Sequence, residues 1–306
     1  MSVIGFDTSN YTTSIAVYSS QYCNNCSKLL PVKQGELGLR QSDAVFHHTK
    51  GLPELSDRLF SDFNTDSVTA VGVSTRPRAV EGSYMPCFMV GYSHAKLLAD
   101  ALCVPLVECS HQQGHIAAAL WSAGRLDLMD IPHLAWHLSG GTTELLLVEP
   151  EGKNVKCAKI GGTTDISAGQ LIDRTGQLLG LPFPSGKHLD ALSAESESTE
   201  LFRIKCNGTE FSLSGMENKV QKYHLSKGVA CDTAVYALRS IADVVLRATV
   251  NAKKEYDLPV VFSGGVASNS LLRDVLHPLQ PVFAQPCYST DNAMGVAIIA
   301  SRMTEA

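Results

Sequence analysis

Two histidines four residues apart, His111 and His115, stand in the run Cys109-Ser110-His111-Gln112-Gln113-Gly114-His115. On a helix that spacing puts both imidazoles on one face, where both can reach a single divalent cation. No glutamate follows the first histidine, so the HExxH of a zinc peptidase, with its built-in base, is absent. Two imidazoles leave a zinc or iron(II) site incomplete, and a carboxylate is the natural third ligand. Asp291, in Ser289-Thr290-Asp291-Asn292-Ala293, is the candidate. A second reading stays open here: Asp291 caps a helix that begins beside it, and the histidines only pack or hydrogen-bond.

The other chemical feature is a set of small-residue turns. Val3 to Phe6 leads into Asp7-Thr8-Ser9-Asn10, and Thr13 to Tyr18 follows as a second β-rich run. The same grammar returns where Leu134 to Leu138 leads through Ser139-Gly140-Gly141-Thr142-Thr143 into Glu144 to Val148. A third instance, Val260 to Gly265, runs into Ser268-Asn269 and a helical stretch. Turns of Gly, Ser and Thr expose backbone N–H groups that cradle phosphate oxygens. Two strand–turn–strand units, one opening each half, point to an internal duplication. That duplication describes the actin-like ATPase architecture, an α/β fold of two RNase H-like lobes with nucleotide in the cleft between them; on pattern alone an unrelated α/β enzyme stays open beside it.

The elements that must position these groups alternate strand and helix, with helical periodicity from Tyr92 to Leu102 and from Ala230 to Tyr256. The expected lobes are residues 1–118 with a returning C-terminal helix at 291–306, and residues 119–290. A chain of 306 residues has length for about two domains at ~150 residues each. Its 44% hydrophobic and 18% charged content excludes a disordered or fibrous protein. The net charge of −5 excludes the overall positive field of a dedicated nucleic-acid binder, leaving room only for local basic patches such as Arg76 and Arg78 or Lys253 and Lys254. Nine scattered cysteines suit reduced thiols better than a secreted disulfide scaffold. Cys23-Asn24-Asn25-Cys26 is a CxxC without a second pair, and its spacing suits a turn equally well. With no signal-like N-terminus and no long apolar run, the expectation is a cytoplasmic protein without a membrane partner.

Taken together the motifs resemble those of the TsaD/Gcp family, historically labelled O-sialoglycoprotein endopeptidase, over nearly the whole chain. His111, His115 and Asp291 match that family's metal-binding positions. Leu138-Ser139-Gly140-Gly141-Thr142-Thr143-Glu144-Leu145 matches VSGGHTEL. The segment from Gly161 follows GETxDDAAGEAFDKxAxxLGLPYPGG and places Asp173 and Gly186 at substrate-binding positions. Phe211 to Gly215 looks like FSFSGL, Ser263 to Asn269 like AGGVAAN, and Gly51 to Leu55 like part of VVPELASR. The resemblance implies adenylate binding by Leu138, Ser139, Gly140, Gly141, Thr142, Asp173, Gly186 and Asn269, beside one divalent metal, iron(II) or zinc. The bound nucleotide would be ATP or threonylcarbamoyl-adenylate. The activity implied is transfer of a threonylcarbamoyl group to N6 of adenosine 37 in tRNA. The partners implied are tRNA and either a heteromer with a smaller actin-fold paralogue and an ATPase, or a homodimer.

The chain departs from that pattern where chemistry would notice. The family's first loop, ETSCDET, here reads Asp7-Thr8-Ser9-Asn10-Tyr11-Thr12-Thr13, so Tyr11 and Thr12 replace two acids. Thr142 replaces the histidine of SGGHTEL, and a GPG loop has become Arg76-Pro77-Arg78. These changes suit a divergent member with altered substrate or reduced activity. The alternatives are a non-catalytic nucleotide-binding scaffold and, with the least chemical support, a metallopeptidase.

Overall fold

The apolar run ahead of Asp7 forms β1, Ser2–Thr8, which is buried along its whole length. It pairs antiparallel with β2, Thr12–Tyr18, in a register that sets Phe6 opposite Ile15 and Asp7 opposite Ser14. Next comes β3, Cys23–Leu29, antiparallel to β2. The CxxC is therefore strand and not turn. Cys23 is exposed while Cys26 is buried, because residues three apart on a strand face opposite sides, so the two thiols cannot meet at one metal. The computed structural model describes residues 1–31, 39–61 and 63–305. They form two units, one of residues 1–131, 149–157 and 291–306 and the other of residues 132–148 and 158–290.

In the first unit the chain continues through α1 (Gln41–Phe60), β4 (Val68–Arg76), α2 (Phe88–Leu102), β5 (Leu106–Ser110) and α3 (His111–Ser122). The sheet order is β3-β2-β1-β4-β5, with β4 parallel to β1 and β5 parallel to β4. Ile4, Phe6, Val71 and Val73 pack with Leu52, Leu55 and Leu59 of α1 and Ala95 and Ala99 of α2.

The second unit repeats the plan. Its strands are β6 (His133–Leu138), β7 (Thr143–Glu151) and β8 (Asn154–Thr163), the adjoining ends of β7 and β8 at residues 149–157 counting with the first unit; α4 (Ala168–Leu178) and α5 (Gly186–Ser193) follow. After β9 (Cys206–Asn207) and β10 (Glu210–Phe211) come α6 (Ser214–Lys227) and the long α7 (Ala230–Tyr256). Then β11 (Val260–Ser263), α8 (Ser270–Leu276) and β12 (Val282–Phe283) complete the sheet. Its order is β12-β11-β6-β7-β8-β10-β9, with β6 antiparallel to β7 and parallel to β11. Read from β8 to β12, it has the strand order of the first sheet, so the duplication expected from the turns is present in the topology. Trp136, Phe262, Leu238 and Ile241 share one core. The buried Trp136 indole donates to Thr249 Oγ1 at 2.8 Å, so its polar atom is satisfied inside that core.

The last helix, α9 (Met294–Thr304), belongs to the first unit. It lies on the face of the sheet opposite α1 and α2, where Val3, Ala70 and Val107 meet Ala297 and Ala300. Two glycines paired in register, Gly5 and Gly72, make this possible. A Cβ at Gly5 would sit 2.6 Å from the Ala293 carbonyl oxygen, and one at Gly72 would sit 2.8 Å from that of Val296. Helix backbone thus rests almost directly on strand backbone. Among the described residues, no helix is long and apolar enough to cross a membrane.

Candidate functional site

Helix α3 begins with a capping box. Ser110 Oγ accepts from Gln113 N at 3.2 Å, and Gln113 Oε1 accepts from Ser110 N at 2.8 Å. That cap fixes where the helix starts, which makes His111 its first residue and puts His115 one turn on. The two rings lie 4.3 Å apart by centroid, and their Nε2 atoms approach to 2.9 Å.

Asp291 arrives from the segment ahead of α9. The carboxylate is not the cap of that helix; Asn292 Oδ1 accepts from Met294 N, while Asp291 Oδ1 lies 3.1 Å from His115 Nε2 and 3.6 Å from His111 Nε2. Helices α3 and α9 cross at Gly114 and Gly295, where a Cβ on Gly295 would fall 1.8 Å from the Gly114 carbonyl oxygen. This close crossing brings Asp291 to the histidines. One ligand atom from each of the three residues lies within 4.8 Å of the others. Cis ligands at ~2.0–2.2 Å from a first-row divalent ion stand roughly 3 Å apart, so the donor set fits zinc or iron(II).

Three residues that sequence reasoning missed support this cluster. Asp7, fully buried at the end of β1, holds His111 Nδ1 through both carboxylate oxygens at 3.0 and 3.1 Å. Ser74, beside it on β4, donates its hydroxyl to Asp7 Oδ1. Ser9 Oγ donates to Asp291 Oδ2 at 3.2 Å. A carboxylate on the far nitrogen of a ligating histidine sets ring orientation and raises its basicity. The available signal was an acid closing an otherwise apolar strand, Val3-Ile4-Gly5-Phe6-Asp7. Charge agrees with geometry. Burial opposes a charge on His111, but the Asp7 and Asp291 carboxylates outweigh it and push its pKa up to about 10. Burial likewise opposes a charge on Asp291, yet the two histidines hold its carboxyl well below the usual carboxylate range. The field at this point favours positive charge.

The remaining predicted residues lie in the second unit. Between Leu138 and Thr143 the turn closes with Ser139 N donating to Thr142 O at 2.8 Å and Thr142 N donating to Ser139 Oγ at 3.1 Å. A Cβ on Gly140 or Gly141 would meet nothing within 4 Å, so the space above the turn is open. Asp173, on α4, accepts from Ser185 N at 2.8 Å, one residue before Gly186 opens α5. Its burial raises its pKa against that bond. Asn269 caps α8 through Oδ1, which accepts from Leu272 N at 2.9 Å, while its buried Nδ2 has no hydrogen-bond partner. Asp165, not singled out beforehand, accepts from Leu213 N and Ser214 N at 2.8 and 3.2 Å at the start of α6. Although burial works the other way, these bonds and those from the Ser212, Ser214 and Thr163 side chains lower its pKa to about 2.

The family model for tRNA N6-adenosine threonylcarbamoyltransferase, TsaD, matches residues 33–298. The chain belongs to the TsaD family. A relative of that description from Persephonella marina is 30% identical, over 97% of this chain and 88% of its own length. Another, from a Sulfurihydrogenibium species, is 32% identical over 97% of this chain and 89% of its own. Among solved structures the chain resembles full-length HypF with a TM-score of 0.62 at 15% identity, covering all of this chain and 56% of that one. It also resembles a ROK family glucokinase from Streptomyces griseus, with a TM-score of 0.55 at 12% identity, over 99% of this chain and all of the other. These likenesses identify the actin-like ATPase fold. Against the TsaD motifs, the lost acids fall at Tyr11, which is exposed, and at Thr12, which is buried at the start of β2.

Asp7→Asn keeps the shape but removes the negative charge behind His111, and it is expected to weaken zinc binding about 10- to 100-fold. Ser74→Ala should act in the same direction and less strongly. Competition titration against a chromogenic chelator measures both; equal affinities for wild type and Asp7→Asn would remove Asp7 from the account.

Proposed function

We propose that this protein transfers the threonylcarbamoyl group of threonylcarbamoyl-adenylate to N6 of adenosine 37 in tRNA, using one divalent metal held by His111, His115 and Asp291. The observation that carries the reading is the convergence of those three side chains, backed by the Asp7 carboxylate, in a chain of the TsaD family. In the reaction, N6 of the adenosine attacks the carbamoyl carbon. The bond from that carbon to the adenylate oxygen breaks, AMP leaves, and the amine loses a proton to solvent. An iron(II) or zinc ion at the three residues supplies Lewis acidity toward a carbonyl or phosphoryl oxygen. The adenylate is assigned to the second unit. There the open turn from Leu138 to Thr142 offers backbone N–H groups to phosphate. Asp173 can accept from a ligand hydroxyl, Gly186 leaves room at the start of α5, and the unpaired Asn269 Nδ2 is a donor waiting for an acceptor. Burial pushes the Cys87 thiol up to about 11, so that thiol is not a nucleophile at neutral pH. The same reading takes tRNA as the acceptor, places the work in the cytoplasm, and includes assembly with a smaller actin-fold paralogue and an ATPase.

The first loop, whose Ser9 reaches Asp291, lacks two acids of the family motif. Tyr11 and Thr12 cannot serve as carboxylate bases, and loss of a group acting in proton transfer costs about 10²–10⁴ in rate. Purified protein given synthetic threonylcarbamoyl-adenylate and tRNA is therefore expected to form the modified nucleoside slowly, and it should not restore normal levels in cells depleted of their own transferase. The double variant Tyr11→Asp, Thr12→Glu should raise the rate. Mass spectrometry of digested tRNA reads the outcome. No modified adenosine from either protein, with donor, metal and the smaller actin-fold paralogue and ATPase all present, would overturn the transferase reading.

A further inference from the structure

His48, on α1, is fully buried, and its Nδ1 pairs with Thr13 Oγ1 on β2 at 2.8 Å. Its Nε2 is buried without a hydrogen bond of good geometry, although the Ser9 backbone lies close enough to the ring to act on it as a hydrogen-bond partner. A buried polar atom left unpaired is costly, and an apolar side chain of similar size would avoid that cost. The ring nevertheless sits here, where the Ser9 backbone and the Asp7 carboxylate both act on it against the effect of its burial. Thr13 and Ser9 flank the segment 10–12, the part of the first loop that differs from the family. Another α1 side chain grips the same segment: Gln41 Nε2 donates to Asn10 Oδ1 at 2.6 Å. At its start, Ser9 Oγ donates to Asp291 Oδ2. A continuous set of contacts thus runs from α1 through the loop to one member of the three-residue cluster.

We propose that His48 is a positioning residue, which pins the loop through Thr13 and so sets the Ser9 hydroxyl against Asp291. The inference rests on the metal reading given above. It assigns α1 a part in that site. The effect of His48 is expected to pass through Ser9, and that is what distinguishes a positioning role from general support of the fold.

The test uses the full chain with cobalt(II) alone as probe, reading affinity and the visible d–d absorption bands. His48→Ala is expected to weaken cobalt binding about tenfold and to shift the bands, the lower end of the range for residues behind a metal ligand. Ser9→Ala should do the same. In the double variant the two losses should not multiply, leaving about tenfold overall, because both remove one line of contact. His48→Asn, whose amide can still meet Thr13 Oγ1, should recover most of the affinity. If His48→Ala does not fold, the isosteric Thr13→Val, which removes only the hydroxyl, takes its place in the same cycle with the same expectation. Affinity within twofold of wild type for Ser9→Ala and for His48→Ala (or Thr13→Val in its place), or losses that multiply to about a hundredfold in the double variant, overturns the proposal. Failure of the wild-type protein to bind cobalt overturns the metal reading itself, and this inference with it.

Discussion

Replacing both His111 and His115 with alanine is expected to lower divalent-metal affinity by roughly 10³-fold or more, since two of three protein ligands disappear together. Transfer to tRNA should fall to background in the same variant. The fold should survive. His111 is only partly buried at the first turn of α3, and the capping box that starts the helix uses Ser110 and Gln113 instead. Calorimetric titration with zinc, set beside far-ultraviolet circular dichroism, separates loss of the site from loss of structure. If the double variant bound zinc as tightly as wild type, the three residues would not be the site.

The second large effect comes from a residue that carries no functional group. Gly295→Ala places a methyl 1.8 Å from the Gly114 carbonyl oxygen and 2.9 Å from Ala118 N, both backbone atoms of α3. Neither can move aside without displacing the helix, so α3 and α9 must separate. Overpacking of this kind is expected to cost about 3 kcal/mol or more. Metal binding should fall with it, because His111 and His115 lie on one helix and Asp291 just ahead of the other. The partner position offers a contrast. A methyl on Gly114 would meet Val296 Cγ2 at 3.2 Å, a side-chain atom that can give way, so Gly114→Ala should be far milder. Urea unfolding of both variants tests the ranking. Equal midpoints for the two would show that the crossing is looser than described.

The sequence carries this site unevenly, and the reason is separation along the chain. The two histidines are legible alone, because helical periodicity brings i and i+4 together without any tertiary contact. Asp291 lies 176 residues from His115, so donor chemistry alone makes it a candidate ligand beside the equally open reading as a helix cap, and only the fold brings it to the histidines. Asp7 and Ser74 were not found, since the pairing of β1 with β4 that puts them side by side is a property of the sheet. The small-residue turns of both halves connect antiparallel strands, and the repeated strand order follows from them. The spacing of the CxxC leaves a turn and a metal pair both open, and pairing with β2 settles it as extended strand. Gly295 looked like any small residue in an apolar helix; only the crossing with α3 reveals what it is for.

The proposed transfer depends on one divalent metal held by His111, His115 and Asp291. Anomalous diffraction from crystals of the full chain grown with zinc, measured on both sides of the zinc absorption edge, tests it most directly. The expected result is a single strong peak at ~2.0–2.2 Å from His111 Nε2, His115 Nε2 and Asp291 Oδ1. A map with no peak among these three residues at saturating zinc, or with its main peak at other side chains, would contradict the account.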